Sequence, residues 1–140
     1  MNKGKWAALL LGGALVAGPL LAEEGPVGAS LFGENEVGHE GADEDAGGDF
    51  SGYVDTAAGT LCYYLETYGL DDVTAAHLHK GKDGDNGPPV VVLEANADDE
   101  VCVEVEAELL TDIVRRKKDY YVNVHSTAFP EGAIRGQLGS

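Results

Sequence analysis

The sequence predicts an all-β domain: an antiparallel Greek-key-like sandwich or barrel of about eight strands with one short helix. Three observations carry that reading. Apolar, β-branched and aromatic residues recur in short runs with a period of two. The runs are separated by clusters of Gly, Pro, Asp and Asn, and a single window shows apolar residues at helical spacing.

Residues 1–22 stand apart from the domain. Lys3 and Lys5 precede an apolar stretch from Ala7 to Ala17, Gly18-Pro19 breaks it, and Leu20-Leu21-Ala22 offers a cleavage point, which is the pattern of an export signal. The apolar stretch falls short of the roughly 20 residues that span hydrocarbon. The expectation is a cleaved signal peptide, a secreted or periplasmic protein, and no stable membrane anchor after cleavage. The cleavage point has no cysteine to accept a lipid.

The domain then occupies residues 23–140. Val27 to Phe32 reads as a strand, and residues 33–49, rich in glycine and containing Asp43-Glu44-Asp45, as an acidic mobile loop. Phe50 to Asp55 and Thr60 to Tyr68 form a hairpin turning at Ala57-Ala58-Gly59. Alternation sets Leu61, Tyr63 and Leu65 on one face and Cys62 and Tyr64 on the other. Val73 to Lys80 is the next strand, and the turn from Lys82 to Pro89 leaves it. Asp83, Asp85 and Glu94 invite comparison with a helix-loop-helix calcium site, but Pro88 stands where that loop needs glycine. Val90 to Glu94 and Glu100 to Glu106 follow as strands, with Val101, Val103 and Val105 facing the core. Leu109, Leu110, Ile113 and Val114 predict a helix over about 107–117. Its acids Glu108 and Asp112 come early and Arg115-Arg116-Lys117-Lys118 late, as the helix dipole favours. Tyr120 to His125 and Ile134 to Leu138 complete the strands.

The formal net charge is −16, and loss of Lys3 and Lys5 would make it two units more negative. Such a surface repels nucleic acid and anionic membranes and favours cations and basic partners; it also suits a saline habitat. Cys62 and Cys102 each lie in a strand-like run and are the only two cysteines. In an oxidising compartment they have one intramolecular pairing, which closes a loop of about 40 residues. Free thiols or soft metal ligands are the alternative, against which stands their distance in sequence from the histidines.

Chemistry concentrates in the second half of the chain. His77 and His79 are two apart in a strand, so both point to one side, with Cβ atoms roughly 6 to 7 Å apart. Tyr121, Asn123 and His125 share a face of a later strand, and His125 would complete three imidazoles if the strands are neighbours. Three neutral imidazoles suit copper, with zinc second. The other reading of the same residues is a polar structural network of turn-capping histidines, with Asn123 bracing a loop and Arg135 tying strand ends to a carboxylate such as Glu131. His39 is a further candidate ligand within the acidic loop. Tyr63, Tyr64, Tyr120 and Tyr121 suggest an aromatic binding face, though alternation sends about half of them to the core. There is no nucleophile elbow, phosphate loop or paired-thiol motif, which leans against an enzyme.

Ala76-His77-Leu78-His79-Lys80-Gly81, Tyr120 to Ser126, and Pro130 to Leu138 together resemble the CHRD domain, named for its occurrence in chordin. Gly33-Glu34-Asn35-Glu36-Val37 is similar to that family's opening motif, and the two cysteines match positions common in its bacterial members. The motif departs at Gly38-His39, where prolines are usual. The resemblance implies an immunoglobulin-sized all-β domain, usually secreted, without established catalysis: a binding module whose partner is a metal ion or an extracellular or periplasmic protein. A weaker resemblance is to the copper site of the copper–zinc superoxide dismutases, where a His-x-His strand, a Gly-rich loop and a third histidine recur. It implies a copper-only redox protein with His77, His79 and His125 as ligands and Arg135 steering an anion. No bridging histidine and no zinc-ligand cluster follow His79. A structural or adhesive extracellular domain without metal is the third reading.

Overall fold

A computed structural model gives the fold and describes residues 13–14 and 21–139. The export signal read over residues 1–22 lies outside the described residues except at positions 13–14 and 21–22. Eight strands follow in chain order: β1 (Glu24–Phe32), β2 (Gly47–Asp55), β3 (Thr60–Tyr68), β4 (Val73–Lys80), β5 (Pro89–Leu93), β6 (Val101–Glu104), β7 (Tyr120–Ser126) and β8 (Ile134–Gln137). Helix α1 (Ala107–Arg115) precedes a 3-10 turn at Lys117–Asp119. The strands make one antiparallel sheet in the order β5-β4-β7-β8-β1-β2-β3-β6, curled into a half-barrel. The predicted all-β class, eight strands and single helix are what the structure has.

Alternation divides every strand between a core face and an outer face. Leu61, Tyr63 and Leu65 are buried on β3, as are Leu78 on β4, Val122 and Val124 on β7, and Ile134 on β8. Leu110 and Ile113 of α1 are fully buried in the same cluster. Helix α1 packs against β1 and β2, so the sheet wraps one core that the helix completes. It ends two residues before the expected Lys117, because Arg116 leaves helical dihedrals (φ −130°) and the chain tightens into the 3-10 turn.

The segment read as an acidic loop begins with a 3-10 turn at Gly33–Asn35. It is tied to the sheet by Ala42 N–H donating to Ala133 O (2.8 Å), and it buries Ala42 and Ala46. Strand β2 starts at Gly47 rather than Phe50, because Gly47-Gly48-Asp49 pairs with Glu66-Thr67-Tyr68 of β3.

Strand β6 is four residues long, lies at the sheet edge, and pairs only with β3. Cys62 and Cys102 are direct cross-strand partners there and form a disulfide. The cross-link holds a short strand that has few ladder hydrogen bonds of its own. Closing a loop of 40 residues contributes about 4 kcal/mol through the unfolded state. The Cys62→Ser/Cys102→Ser chain should therefore unfold with a free energy lower by about 3–4 kcal/mol. Denaturant titration of both proteins would measure it, and an unchanged midpoint would show that β6 needs no staple.

Candidate metal centre

Three central strands present a polar outer face. In register, Ala75 of β4 lies opposite His125 of β7, His77 opposite Asn123, and His79 opposite Tyr121; Asn123 and Tyr121 in turn lie opposite Arg135 and Gln137 of β8. The sequence predicted that His77 and His79 share a side and that Tyr121, Asn123 and His125 share another. The ladder merges those two sides into one.

His77, His79 and His125 converge: one ring nitrogen from each lies within 4.8 Å of the others. The ring centroids are 5.7 Å apart for His77 and His79, and 5.3 Å for His77 and His125. Backbone carbonyls set two of the tautomers, since a carbonyl can only accept. His79 Nδ1–H donates to Gly87 O (2.9 Å) and His125 Nδ1–H donates to Pro130 O (3.1 Å). Nε2 of both rings therefore carries a lone pair. His125 Nε2 faces His77 Nδ1 at 3.4 Å, and His79 Nε2 is buried without a hydrogen-bond partner. A buried ring nitrogen that carries a lone pair and finds no donor is the kind of group a cation satisfies.

The surroundings of His77 and His79 favour their neutral forms. Burial pushes His77 below the usual histidine range, and the neighbouring His125 adds to the effect. Burial also lowers His79; the Gly87 hydrogen bond opposes this, while His77, His125 and Arg135 reinforce it. Neutral imidazole is the form that binds a metal.

Arg135 and Tyr121 hold the loop that orients His79. Arg135 is 2% exposed. Its guanidinium donates to Asn86 Oδ1 (3.1 Å), Lys82 O (3.1 Å) and Asp85 O (2.7 Å), and packs 3.5 Å from the centre of the Tyr121 ring. His79 stacks on that same ring at 4.8 Å and 10°, while the Tyr121 hydroxyl accepts from Gly87 N–H (3.1 Å). A side chain at position 87 has no room, because a Cβ there would lie 1.6 Å from Lys80 O. The partners of Arg135 are thus the carbonyls and amide of residues 82–86, not Glu131.

Asn123 is buried and donates to Glu36 and to Ile134 O (3.0 Å). Burial raises the Glu36 carboxyl above its usual range, against the pull of Asn123, His39 and Arg135. His39 pairs with Glu36 (3.4 Å) rather than joining the other histidines. Of the four tyrosines read as a possible face, Tyr63, Tyr120 and Tyr121 are buried and Tyr64 is exposed. Cys62 and Cys102 are joined, so they are not thiolate ligands. Sequence reasoning missed Gly87, Pro130 and Glu36, whose parts depend on loops folding back over the sheet. Glu36 and Pro130 left a trace only as members of the segments that resemble the family.

A family model of the CHRD domain matches residues 27–138. No curated protein and no solved structure gives a significant match.

The lowered histidines fix how stability depends on pH in the metal-free chain. In the unfolded chain they take up protons near their ordinary value of 6.5, and in the folded chain only at lower pH. Their contribution is therefore complete above about pH 6.5 and is lost as the pH falls through the folded values. Unfolding free energies measured from pH 7.5 downward should decline in that window, and His79→Gln should flatten the decline. An equal slope in both proteins would contradict the assignment.

Proposed function

Because the chain belongs to the CHRD domain family, we propose that it is an exported binding module in which His77, His79 and His125 hold one copper ion. The observation that carries this reading is His79 Nε2, buried and partnerless on a ring that belongs to a cluster of three histidines, each with a nitrogen within 4.8 Å of the others. The donor set fits copper. Imidazole nitrogens suit borderline metals, and among divalent ions of the first transition row copper has the highest affinity for such a site, with zinc next to it. His79 Nε2 and His125 Nε2 have lone pairs ready for an ion. His77 would bring Nδ1 as its neutral tautomer protonated at Nε2, giving up the hydrogen bond to His125. Three protein ligands leave a position for water or a ligand from the partner.

The family, the predicted signal and the disulfide support a secreted or periplasmic site of action. Binding or delivery of the ion fits the site better than superoxide turnover. Arg135, the residue that would steer an anion, spends its donors on the backbone of residues 82–85 and on Asn86. Its positive charge still helps to keep His79 unprotonated.

Titration of the chain with copper and with zinc in a calorimeter should show one-to-one binding, with copper the tighter. His77→Ala and His125→Ala should each weaken it by at least a hundredfold while leaving the fold intact by circular dichroism. Binding that survives both substitutions, or that does not exceed the background of an acidic surface, would make the histidines architectural.

A further inference from the structure

The sheet has a second stretch of outer surface over β1, β2 and β3, separated from the histidine strands β4 and β7 by β8. The pairing arranges its outward residues in rows: Glu24-Asp55-Thr60, Pro26-Tyr53-Cys62, Gly28-Ser51-Tyr64, Ser30-Asp49-Glu66 and Phe32-Gly47-Tyr68. Every exposed aromatic among the described residues stands here: Phe32 (41%), Tyr53 (46%), Tyr64 (49%) and Tyr68 (51%). Soluble domains scatter single apolar residues over their surface; four rings gathered on one side of three adjacent strands are a patch.

Two features give the patch a chemical preference. Carboxylates lie directly opposite one another, Glu24 against Asp55 and Asp49 against Glu66, an arrangement that costs stability in an antiparallel pair. Among the described residues, no ion pair engages any of these four, and none of the outward residues in the five rows is Lys or Arg. The carboxylates do not converge as ligands for a single ion either, since the ion-sized clusters are the histidines and the disulfide with Glu100. They flank the Tyr53 and Tyr64 rows instead, with the Phe32 and Tyr68 row beyond Asp49 and Glu66. Desolvation, reinforced by Glu24 and Asp55, holds the Tyr53 hydroxyl above its ordinary range, in keeping with a negative local field. Glycine at position 47 serves the platform: a Cβ there would lie 2.3 Å from the Tyr68 hydroxyl, so the ring lies across the glycine.

We propose that this face docks a basic, arginine-bearing segment of a partner protein. Guanidinium planes stack on tyrosine faces and form forked hydrogen bonds with carboxylates, and the two row types supply those two contacts side by side. A bound cationic segment would also relieve the like-charge pairs. A second copy of the chain would bring the same negative rows into opposition, and an anionic membrane would be repelled.

The test is calorimetry with a hexa-arginine peptide as probe, at near-physiological salt. The expected result is one-to-one binding weakened at least tenfold by Tyr53→Ala/Tyr64→Ala, which leaves the charge unchanged. Asp49→Asn/Glu66→Gln should weaken it as much and unfold at an equal or higher temperature. Asp83→Asn/Asp85→Asn, the same change of charge on another loop, should alter it less than threefold. Equal weakening by the two acid pairs would reduce the effect to diffuse acidity and overturn the proposal, as would tyrosine variants that bind normally. Binding of cellohexaose that is lost with the tyrosines but not with the acids would assign the face to carbohydrate instead. A dimer in sedimentation that the tyrosine changes dissociate would assign it to self-association.

Discussion

The register that sets His77 opposite Asn123, and Asn123 opposite Arg135, governs both sides of the sheet. A shift of one residue in either ladder would turn Leu78, Val122 and Ile134 outward and drive the histidines into the core. Burial of the apolar set therefore holds the polar set in place, without any need for the polar residues to find each other. The hydrophobic effect fixes where the imidazoles stand, and the loops then decide how they are turned.

That second step depends on a buried cation. Arg135 has little solvent and no carboxylate in contact, and such a charge is costly to bury unless its donors are met. Lys82 O, Asp85 O and Asn86 Oδ1 meet them, and the Tyr121 ring accepts the guanidinium plane. The loop cannot leave without stranding that charge. It consequently presents Gly87 O at the distance that selects one tautomer of His79. What resembled an anion guide in the sequence works in the structure as the anchor of the loop that orients His79.

The fold was largely legible, and the physical reason differs from element to element. β3 and β4 have the bounds that alternation and turn residues predict, because strict period-two runs end at Gly69 and Gly81. β2 starts early because Gly47 and Gly48 carry no local β signal and are recruited by pairing with β3. For the site, the shared side of His77 and His79 follows from local geometry alone. The adjacency of β4 and β7 does not, since β5, β6 and α1 intervene in the chain. Nor could the carbonyls of Gly87 and Pro130 be assigned, because a backbone acceptor has no sequence signature. Alternation sends about half of the four tyrosines inward and sets Tyr63 beside Leu61 and Leu65; the structure buries three, and the hydroxyls of Tyr63 and Tyr120 find partners inside, at Glu94 N–H and Asp112.

Selectivity in so acidic a protein has to come from what the cluster excludes. With a net charge of −16, the surface raises the local concentration of every cation. Calcium and magnesium seek carboxylate and carbonyl oxygen, of which the molecule has plenty, yet no carboxylate belongs to the three-histidine group. Glu36, whose carboxylate is buried beside Asn123, is occupied by Asn123 and His39. On the proposed reading, hard ions would be left to exposed carboxylates, while the nitrogen donors of the cluster suit softer ions. On the other outer face the division runs the opposite way, with carboxylates set among aromatic rings and no imidazole. The same sheet keeps the imidazoles and the acid-lined aromatic rows on different strands because alternation gives each strand one outward side, and the strand order puts the histidines on β4 and β7 and the acids on β1, β2 and β3.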